Sequence, residues 1–295
     1  MGLSKQELLR FVDGLPAFPS CVFPILKLTS DINSTPKELV RVIERDPNLT
    51  RKLLQQINAP LCGVAHPIRS LRQAAVIVGI NTVKNLALTL APLELFGQDL
   101  ESTPFFDGQI THALVVGLIS QNLARRIGQN AVTSVNFFVA GLLHDFGKIV
   151  LHRANPEAHS QALEMANRER IPLQVAERSC LQLDHLEVGA LLAKKWCLPP
   201  ECAASMASHH DPEGPHTPLL DCVQAANLIA KTLRLGDSGN PLLEPSLPEA
   251  MARRLKGTLP ELLHGLGELP AELYRLRLFL LDQHFVSPDP ACEPP

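Results

Sequence analysis

Helical periodicity is the feature that most constrains the fold of this chain. Apolar residues recur at spacings of three and four, as at Leu39, Val42 and Ile43, which places them on one face of a helix. Asp46-Pro47 marks a helix start, with a capping aspartate and a proline whose missing N–H is not needed in the first turn. No segment shows polar and apolar residues alternating between hairpin turns, as strands do. These patterns predict an all-α protein.

Composition excludes several classes of protein. With 295 residues, 45% of them hydrophobic and 19% charged, the chain can bury a large core. A net charge of −3 and an aromatic content of 4% argue against a direct nucleic-acid partner. Seven scattered cysteines without a Cys-x-x-Cys pair suit a reducing compartment. A signal-peptide segment and an uninterrupted apolar run of ~18 residues are both absent, which predicts a cytoplasmic protein without a membrane span.

Two polar, loop-rich stretches divide the predicted helices into units. The first lies at 96–104 and the second at 236–241. We therefore predict an N-terminal helical subdomain at 1–98, a helical bundle at 104–235, C-terminal helices packing on the bundle at 241–286, and a proline-rich disordered tail at 287–295.

The segment Ala140–Lys148, with the sequence AGLLHDFGK, carries the strongest chemical signal. His144 and Asp145 close an apolar helix and together offer an imidazole nitrogen and a carboxylate oxygen, which can bind one metal or bridge two. Gly147 predicts a turn directly after the pair. Lys148 follows at a distance from which its ammonium could contact a phosphate bound to that metal.

Further histidines stand where neighbouring helices could bring them to the pair. His112 lies on the preceding helix, His185 opens a later one, and His209 and His210 end another. Several imidazoles with one carboxylate suit iron, manganese or zinc, and such a metal can activate water for attack on phosphorus. A lone histidine on an apolar helix, such as His112, is more often a hydrogen-bonded core residue than a ligand, and His209-His210 alone could be imidazolium at a helix C-terminus. Their occurrence together, in this order, is what predicts a joint metal site.

Short motifs on both sides of these histidines follow the order seen in one known family. They are Leu15–Pro19, Ile43–Thr50, Gln56–Pro60, Ile68–Leu71, Asp184–Gly189, Trp196–Pro199 and His209–Pro212. With His112 and Ala140–Lys148, the set resembles the HDOD family, a branch of the HD superfamily of metal-dependent phosphohydrolases related to the HD-GYP proteins. The resemblance extends over about residues 8–235 and implies a multi-helix HD-like bundle with an N-terminal helical subdomain.

The resemblance implies a function in bacterial signal transduction. It points to a regulatory output module without catalytic activity, acting on signalling proteins or on a nucleotide or cyclic-dinucleotide ligand. The alternative is a metal-dependent phosphohydrolase of such nucleotides. In that alternative one or two metals are held by His112, His144, Asp145, His185, His209 and His210, and Lys148 contacts the phosphate.

One position departs from the family pattern. The last carboxylate of the HD superfamily is expected where Asn227 stands, and an amide oxygen is a neutral, weaker metal ligand. Asp221 is not expected to replace it, because six residues along a helix turn a side chain about 120° away at ~100° per residue. The Gly-Tyr-Pro signature of HD-GYP proteins is also missing after His210. Both departures favour the regulatory interpretation.

Overall fold

The computed structural model describes residues 4–29, 31, 33–58, 66–93, 104–130, 133–211, 216–240, 242 and 246–267. These residues form helices and connecting loops without a strand, which confirms the all-α prediction. The predicted tail at 287–295, and the part of the predicted C-terminal unit beyond residue 267, lie outside the described residues.

The N-terminal helices begin and end where local side chains satisfy the backbone. Asp46 caps its helix as predicted, since Oδ1 accepts a hydrogen bond from the Leu49 N–H at 3.0 Å. Asn58 closes the same helix and accepts a hydrogen bond from the Ile68 N–H, so it ties the helix end to the next segment. The helices are α1 (Lys5–Gly14), α2 (Val22–Thr29), α3 (Pro36–Ile43), α4 (Pro47–Ile57), α5 (Leu71–Ala74) and α6 (Ile80–Leu93), and a π-helical segment, Ala75–Gly79, leads from α5 into α6.

A larger bundle follows, built around the packing of three helices. Gly117 and Gly141 allow two of these helices to cross closely, since a Cβ on Gly141 would lie 2.8 Å from the Gly117 Cα. The three central helices are α7, α8 and α14. The helices of the bundle and of the segment that follows it are α7 (Pro104–Arg126), α8 (Ser134–Leu143), α9 (Phe146–Ala154), α10 (Pro156–Glu169), α11 (Leu173–Leu181), α12 (His185–Lys195), α13 (Pro200–Ser208), α14 (Pro218–Thr232), α15 (Glu249–Arg254) and α16 (Leu259–His264).

The junction between α8 and α9 positions the His-Asp pair. As predicted, the pair ends the apolar helix, with His144 as the C-cap of α8. The predicted glycine turn is wrong, because Gly147 lies inside α9. A Cβ on Gly147 would overlap the His185 carbonyl oxygen, so glycine is needed here for close packing of α9 against the start of α12. The chain bends at Asp145 instead and turns its side chain inward.

Aromatic packing joins the N-terminal helices to the bundle. The Trp196 indole N–H donates to the Pro16 carbonyl at 3.2 Å, and the Phe18 and Trp196 ring centroids are 5.1 Å apart. Phe146, next to the His-Asp pair, also packs against this tryptophan, with a centroid distance of 5.5 Å. One continuous hydrophobic core therefore includes residues of both units. The domain boundaries themselves stay a prediction.

Two helical stretches are long and apolar enough to cross a membrane by length and composition alone. They are Leu71–Pro92, which includes the π-helical segment, and Ser134–Ala154, which contains the His-Asp junction. The apolar window of the second is 94% buried inside the fold and that of the first 56%. Burial of this kind is typical of core helices, and the compartment of the protein stays a prediction.

Candidate metal centre

The predicted site residues converge on the Asp145 carboxylate. Oδ2 lies 3.2 Å from His144 Nε2 and 3.8 Å from His112 Nε2. Oδ1 lies 3.1 Å from His209 Nε2 and 3.7 Å from His185 Nε2. Each carboxylate oxygen therefore faces its own pair of imidazoles.

The ligand atoms form two groups that share this carboxylate. In each group they lie within 4.8 Å of one another, close enough for a single ion. We name them the His185 half, which consists of His185, His209, His210 and Asp145, and the His112 half, which consists of His112, His144 and Asp145. Imidazole nitrogen and carboxylate oxygen are the donors that iron, manganese and zinc accept in proteins, so the side chains present fit such a metal.

Hydrogen bonds on the far side of the rings determine which nitrogen faces inward. His144 Nδ1 lies 2.6 Å from the Gly141 carbonyl oxygen and His209 Nδ1 lies 2.9 Å from the Ser205 carbonyl oxygen. Because a carbonyl oxygen can only accept, both Nδ1 atoms carry the hydrogen, and Nε2 keeps its lone pair. His185 Nδ1 donates in the same way to a carboxylate oxygen of Glu177 at 2.5 Å. This arrangement is typical of metal-binding histidines.

Several of these inward-facing atoms have no other partner. Among the residues that the structure describes, the buried Nε2 atoms of His144, His185, His209 and His210 and the Oδ1 atom of Asp145 accept or donate no hydrogen bond. Buried polar atoms without a partner are costly, and a cluster of them around one carboxylate suggests an ion.

Burial determines the charge state of the rings. It lowers the pKa of His112 and of His209 from 6.5 to about 3. Burial and the neighbouring His209 hold the pKa of His210 well below its ordinary value. The three rings are therefore neutral at pH 7, which is the form that binds metal.

The carboxylate at the centre is ionised. Burial alone would raise the pKa of Asp145, but His144 and the Lys148 ammonium outweigh that effect and hold it well below its ordinary value. Asp145 is therefore available as an anionic ligand at neutral pH.

Lys148 and Asn227 hydrogen-bond to ligand atoms of the His112 half. The buried Lys148 ammonium donates to Asp145 Oδ2 at 2.6 Å and to the Ser238 carbonyl at 2.8 Å. Asn227 Oδ1 lies 3.0 Å from His112 Nε2, and since that oxygen accepts, His112 presents an N–H there instead of a lone pair. Two of the three ligand atoms of this half are thus already engaged. The predicted contact of Lys148 with a phosphate stays a prediction.

Asp221 lies elsewhere, as the helical spacing predicted. It is buried and forms two hydrogen bonds with Arg254, at 2.5 and 2.9 Å. It is therefore a structural ion pair between α14 and α15 and does not replace the missing carboxylate.

Two residues that contact the centre escaped the sequence analysis. Glu177 lies on the buried face of α11 with Leu173, Ala176 and Leu181, so a carboxylate at an apolar helical position was the available signal. Burial alone would raise its pKa, but His185 and His159 outweigh it and lower the pKa to about 2. Ser238 takes part through its backbone carbonyl in a loop, and the sequence holds no signal for that contact.

Comparison with known proteins places this chain among proteins with an HDOD domain. The profile of the HDOD domain family matches residues 15–212. An uncharacterised protein of Treponema pallidum (strain Nichols) is 27% identical over 234 residues, which are 78% of this chain and 44% of that protein. This chain therefore spans less than half the length of that relative.

Solved structures show the same architecture. An HDOD domain protein of unknown function from Geobacter sulfurreducens superposes with a TM-score of 0.70 at 27% identity, covering 94% of this chain and 98% of that one. A protein from Marinobacter aquaeolei, provisionally named a signal transduction protein, gives a TM-score of 0.67 at 20% identity over 92% of this chain and 64% of that one. With a family profile that matches two thirds of its length and the motifs placed as described, the chain belongs to the HDOD family.

Proposed function

We propose that this chain is a regulatory module of HDOD type that binds one metal ion in the His185 half and acts through binding, without turnover. The observation that carries the proposal is the set of buried Nε2 atoms of His185, His209 and His210 beside Asp145 Oδ1, all without a hydrogen-bond partner among the described residues. Three imidazoles and one carboxylate complete a four-coordinate set. A metal bound there supplies Lewis acidity and a fixed positive charge.

The charge of the centre argues against a two-metal hydrolase. Such enzymes hold two ions about 3.5–4 Å apart and need anionic ligands to offset them. Here Asp145 is the one carboxylate shared by both groups, and the Lys148 ammonium already neutralises part of its charge. Asn227 adds no charge where the superfamily has its last aspartate. A second dication in the His112 half would therefore be poorly compensated.

Burial of the centre supports the same conclusion. His112, His144, Asp145, His185, His209 and Asn227 are each at most 5% exposed, and of the ligand candidates only His210 is more accessible. Within the part of the chain that the structure describes, a phosphate ester has little open surface through which to reach both halves. A metal that orders the core, and thereby the surfaces presented to a signalling partner, fits the geometry better.

The rival function is metal-dependent hydrolysis of a nucleotide or cyclic dinucleotide. It is favoured by the full set of histidines and by the position of Lys148 beside the shared carboxylate. In that case the lysine would release Asp145 or Ser238 to contact phosphate. The two functions differ in turnover, and a two-metal hydrolase would differ in metal stoichiometry as well.

One experiment separates them. The protein is purified without chelator, its iron, manganese and zinc are measured by elemental analysis, and it is then supplied with Mn²⁺ or Fe²⁺ and with bis(p-nitrophenyl) phosphate or cyclic di-GMP. We expect one metal ion per chain and no turnover. Rapid hydrolysis that Asp145→Ala abolishes and Asp221→Asn preserves would overturn the regulatory proposal. A protein that takes up none of the three metals would overturn the metal site.

A further inference from the structure

Glu177 stands directly behind a proposed metal ligand. Its side chain is fully buried on α11, and Oε2 accepts hydrogen bonds from the His185 backbone N–H at 2.9 Å and from His185 Nδ1–H at 2.5 Å. One bond fixes the backbone at the first residue of α12, and the other fixes the orientation of its ring. They leave Nε2 pointing toward Asp145 at 3.7 Å.

The second oxygen of Glu177 is also enclosed. Oε1 lies 3.6 Å from Nε2 of His159, a residue of α10 that is itself fully buried. The Phe105 ring packs edge-on against His159 with a centroid distance of 4.9 Å. Residues of α10 and α12 therefore enclose the Glu177 carboxylate on α11. A glutamate is rarely buried without a strong partner, and His185 is that partner here.

Charge gives this arrangement a role beyond packing. A dication beside Asp145 leaves positive charge in the core, since Lys148 is buried there too and Asn227 is neutral. An ionised carboxylate one imidazole away offsets part of that charge and makes Nε2 of His185 a better electron donor. His144 and His209 donate Nδ1–H to neutral backbone carbonyls instead, so His185 is the ligand with a carboxylate behind it among those described.

We infer that Glu177 is a positioning residue of the metal centre: it orients His185 toward Asp145 and supplies from outside the ligand set the negative charge that Asn227 does not supply from within. The inference rests on the proposed function, because it concerns the affinity of the same metal site. It assigns two separable effects to one side chain, orientation through hydrogen bonds and stabilisation through charge.

Two substitutions separate these effects. Glu177→Gln keeps an oxygen that accepts from His185 but loses the charge, whereas Glu177→Ala loses both. Loss of an outer-shell partner costs about 10–100-fold in metal affinity, so we expect the lower end of that range for Gln and the upper end for Ala. Affinity is measured by chelator competition with Zn²⁺, and ligand geometry by the visible absorption spectrum of the Co²⁺-loaded protein. The Co²⁺ spectrum should be retained in Glu177→Gln and altered in Glu177→Ala.

Asp221→Asn is the matched control, since Asp221 is an equally buried carboxylate that pairs with Arg254. It should leave both the affinity and the Co²⁺ spectrum unchanged. Wild-type protein that binds metal, with both Glu177 variants binding equally well and giving the same spectrum, would overturn this inference alone. Wild-type protein that binds no metal would overturn the proposed function and this inference together. Should Glu177→Ala fail to fold, Glu177→Gln decides the charge effect, and unchanged affinity there counts against the inference.

Discussion

The two halves of the His-Asp centre contain the same kinds of side chain and share Asp145, yet they differ in how ready they are to receive a metal. In the His185 half, the described Nε2 atoms and Asp145 Oδ1 have no hydrogen-bond partner. In the His112 half, Lys148 donates to Asp145 Oδ2 and His112 is bonded to Asn227. Ligand identity alone therefore does not define a metal site. The hydrogen bonds that the ligand atoms already form must be broken before an ion can bind, so they decide which half is the better site.

The difference arises outside the ligand set. Behind His185 lies the Glu177 carboxylate, which strengthens its donor, whereas beside His112 lies a neutral amide. Lys148 is held from its other side by the Ser238 carbonyl, so the loop after α14 helps to keep its ammonium on Asp145. We attribute the difference in part to position 227, where a neutral amide leaves a second ion in the His112 half without charge compensation.

The largest effect should come from the residue that both halves share. Asp145→Asn removes the negative charge from each ligand group and leaves the buried Lys148 ammonium without its carboxylate. We expect metal affinity to fall by more than about 100-fold, beyond the range for outer-shell partners. The free energy of unfolding should fall by about 3–5 kcal/mol, as it does when one member of a buried ion pair is removed.

Competition titration with Zn²⁺ measures the metal affinity, and urea denaturation of the metal-free protein measures the free energy of unfolding. Stoichiometric metal in Asp145→Asn at wild-type affinity would mean that neither half is the binding site. Unchanged unfolding would mean that Lys148 finds another partner.

A matched pair of histidine variants tests the difference between the halves directly. His209→Ala removes a free ligand atom of the His185 half, and His112→Ala removes a ring that is already bonded to Asn227. Both rings are buried to the same degree, 3% and 1% exposed, so the packing defects are comparable. We expect His209→Ala to weaken metal binding by more than about 100-fold and His112→Ala by less than about 10-fold. Competition titrations with Zn²⁺ measure both, and the opposite order of affinities would assign the metal to the His112 half.

Part of this centre could be predicted from the sequence. The ligand candidates were recognisable because a His-Asp pair, an earlier histidine and a later His-His pair occur in a family order, and helical spacing correctly turned Asp221 away. The all-α fold followed from periodicity and from caps such as Asp46. These features depend on residues only a few positions apart, so the sequence alone is enough to predict them.

The rest depended on contacts between distant segments. The bend between α8 and α9 decides which oxygen of Asp145 faces which histidine. Gly147 does not form the predicted turn, because it is the site of close packing against the His185 backbone at the start of another helix. The bond from Lys148 to Ser238 spans 90 residues of sequence. Glu177 gave a usable signal only in hindsight, as a charged residue on an apolar helical face.

A gain of metal binding should follow from restoring the missing charge. Asn227→Asp replaces an amide that bonds His112 with a carboxylate, which can also offset a second ion. We expect metal stoichiometry at saturation to rise from one to two ions per chain, with the second site weaker because Lys148 still occupies Asp145 Oδ2. Isothermal titration calorimetry counts the sites, and Asn227→Ala is the control for loss of the amide. A stoichiometry that stays at one ion per chain would show that Lys148, and not Asn227, prevents a metal ion from binding in the His112 half.

The smallest effect concerns the pH dependence of the free energy of unfolding, to which His112 and His209 should contribute alike. Burial lowers the pKa of His112 and of His209 to about 3, whereas the unfolded chain titrates near 6.5. Between these values the unfolded state binds more protons, so the stability that each neutral ring contributes is complete above pH 6.5 and is lost as the pH falls toward 3. Each ring should steepen the loss by up to about 1.4 kcal/mol per pH unit. Urea unfolding of the metal-free protein from pH 8 to pH 4.5 should show this slope reduced equally in His112→Ala and His209→Ala. If only one variant changed the slope, the halves would differ already in proton binding, and the asymmetry in metal binding would no longer be attributable to Lys148, Asn227 and Glu177 alone.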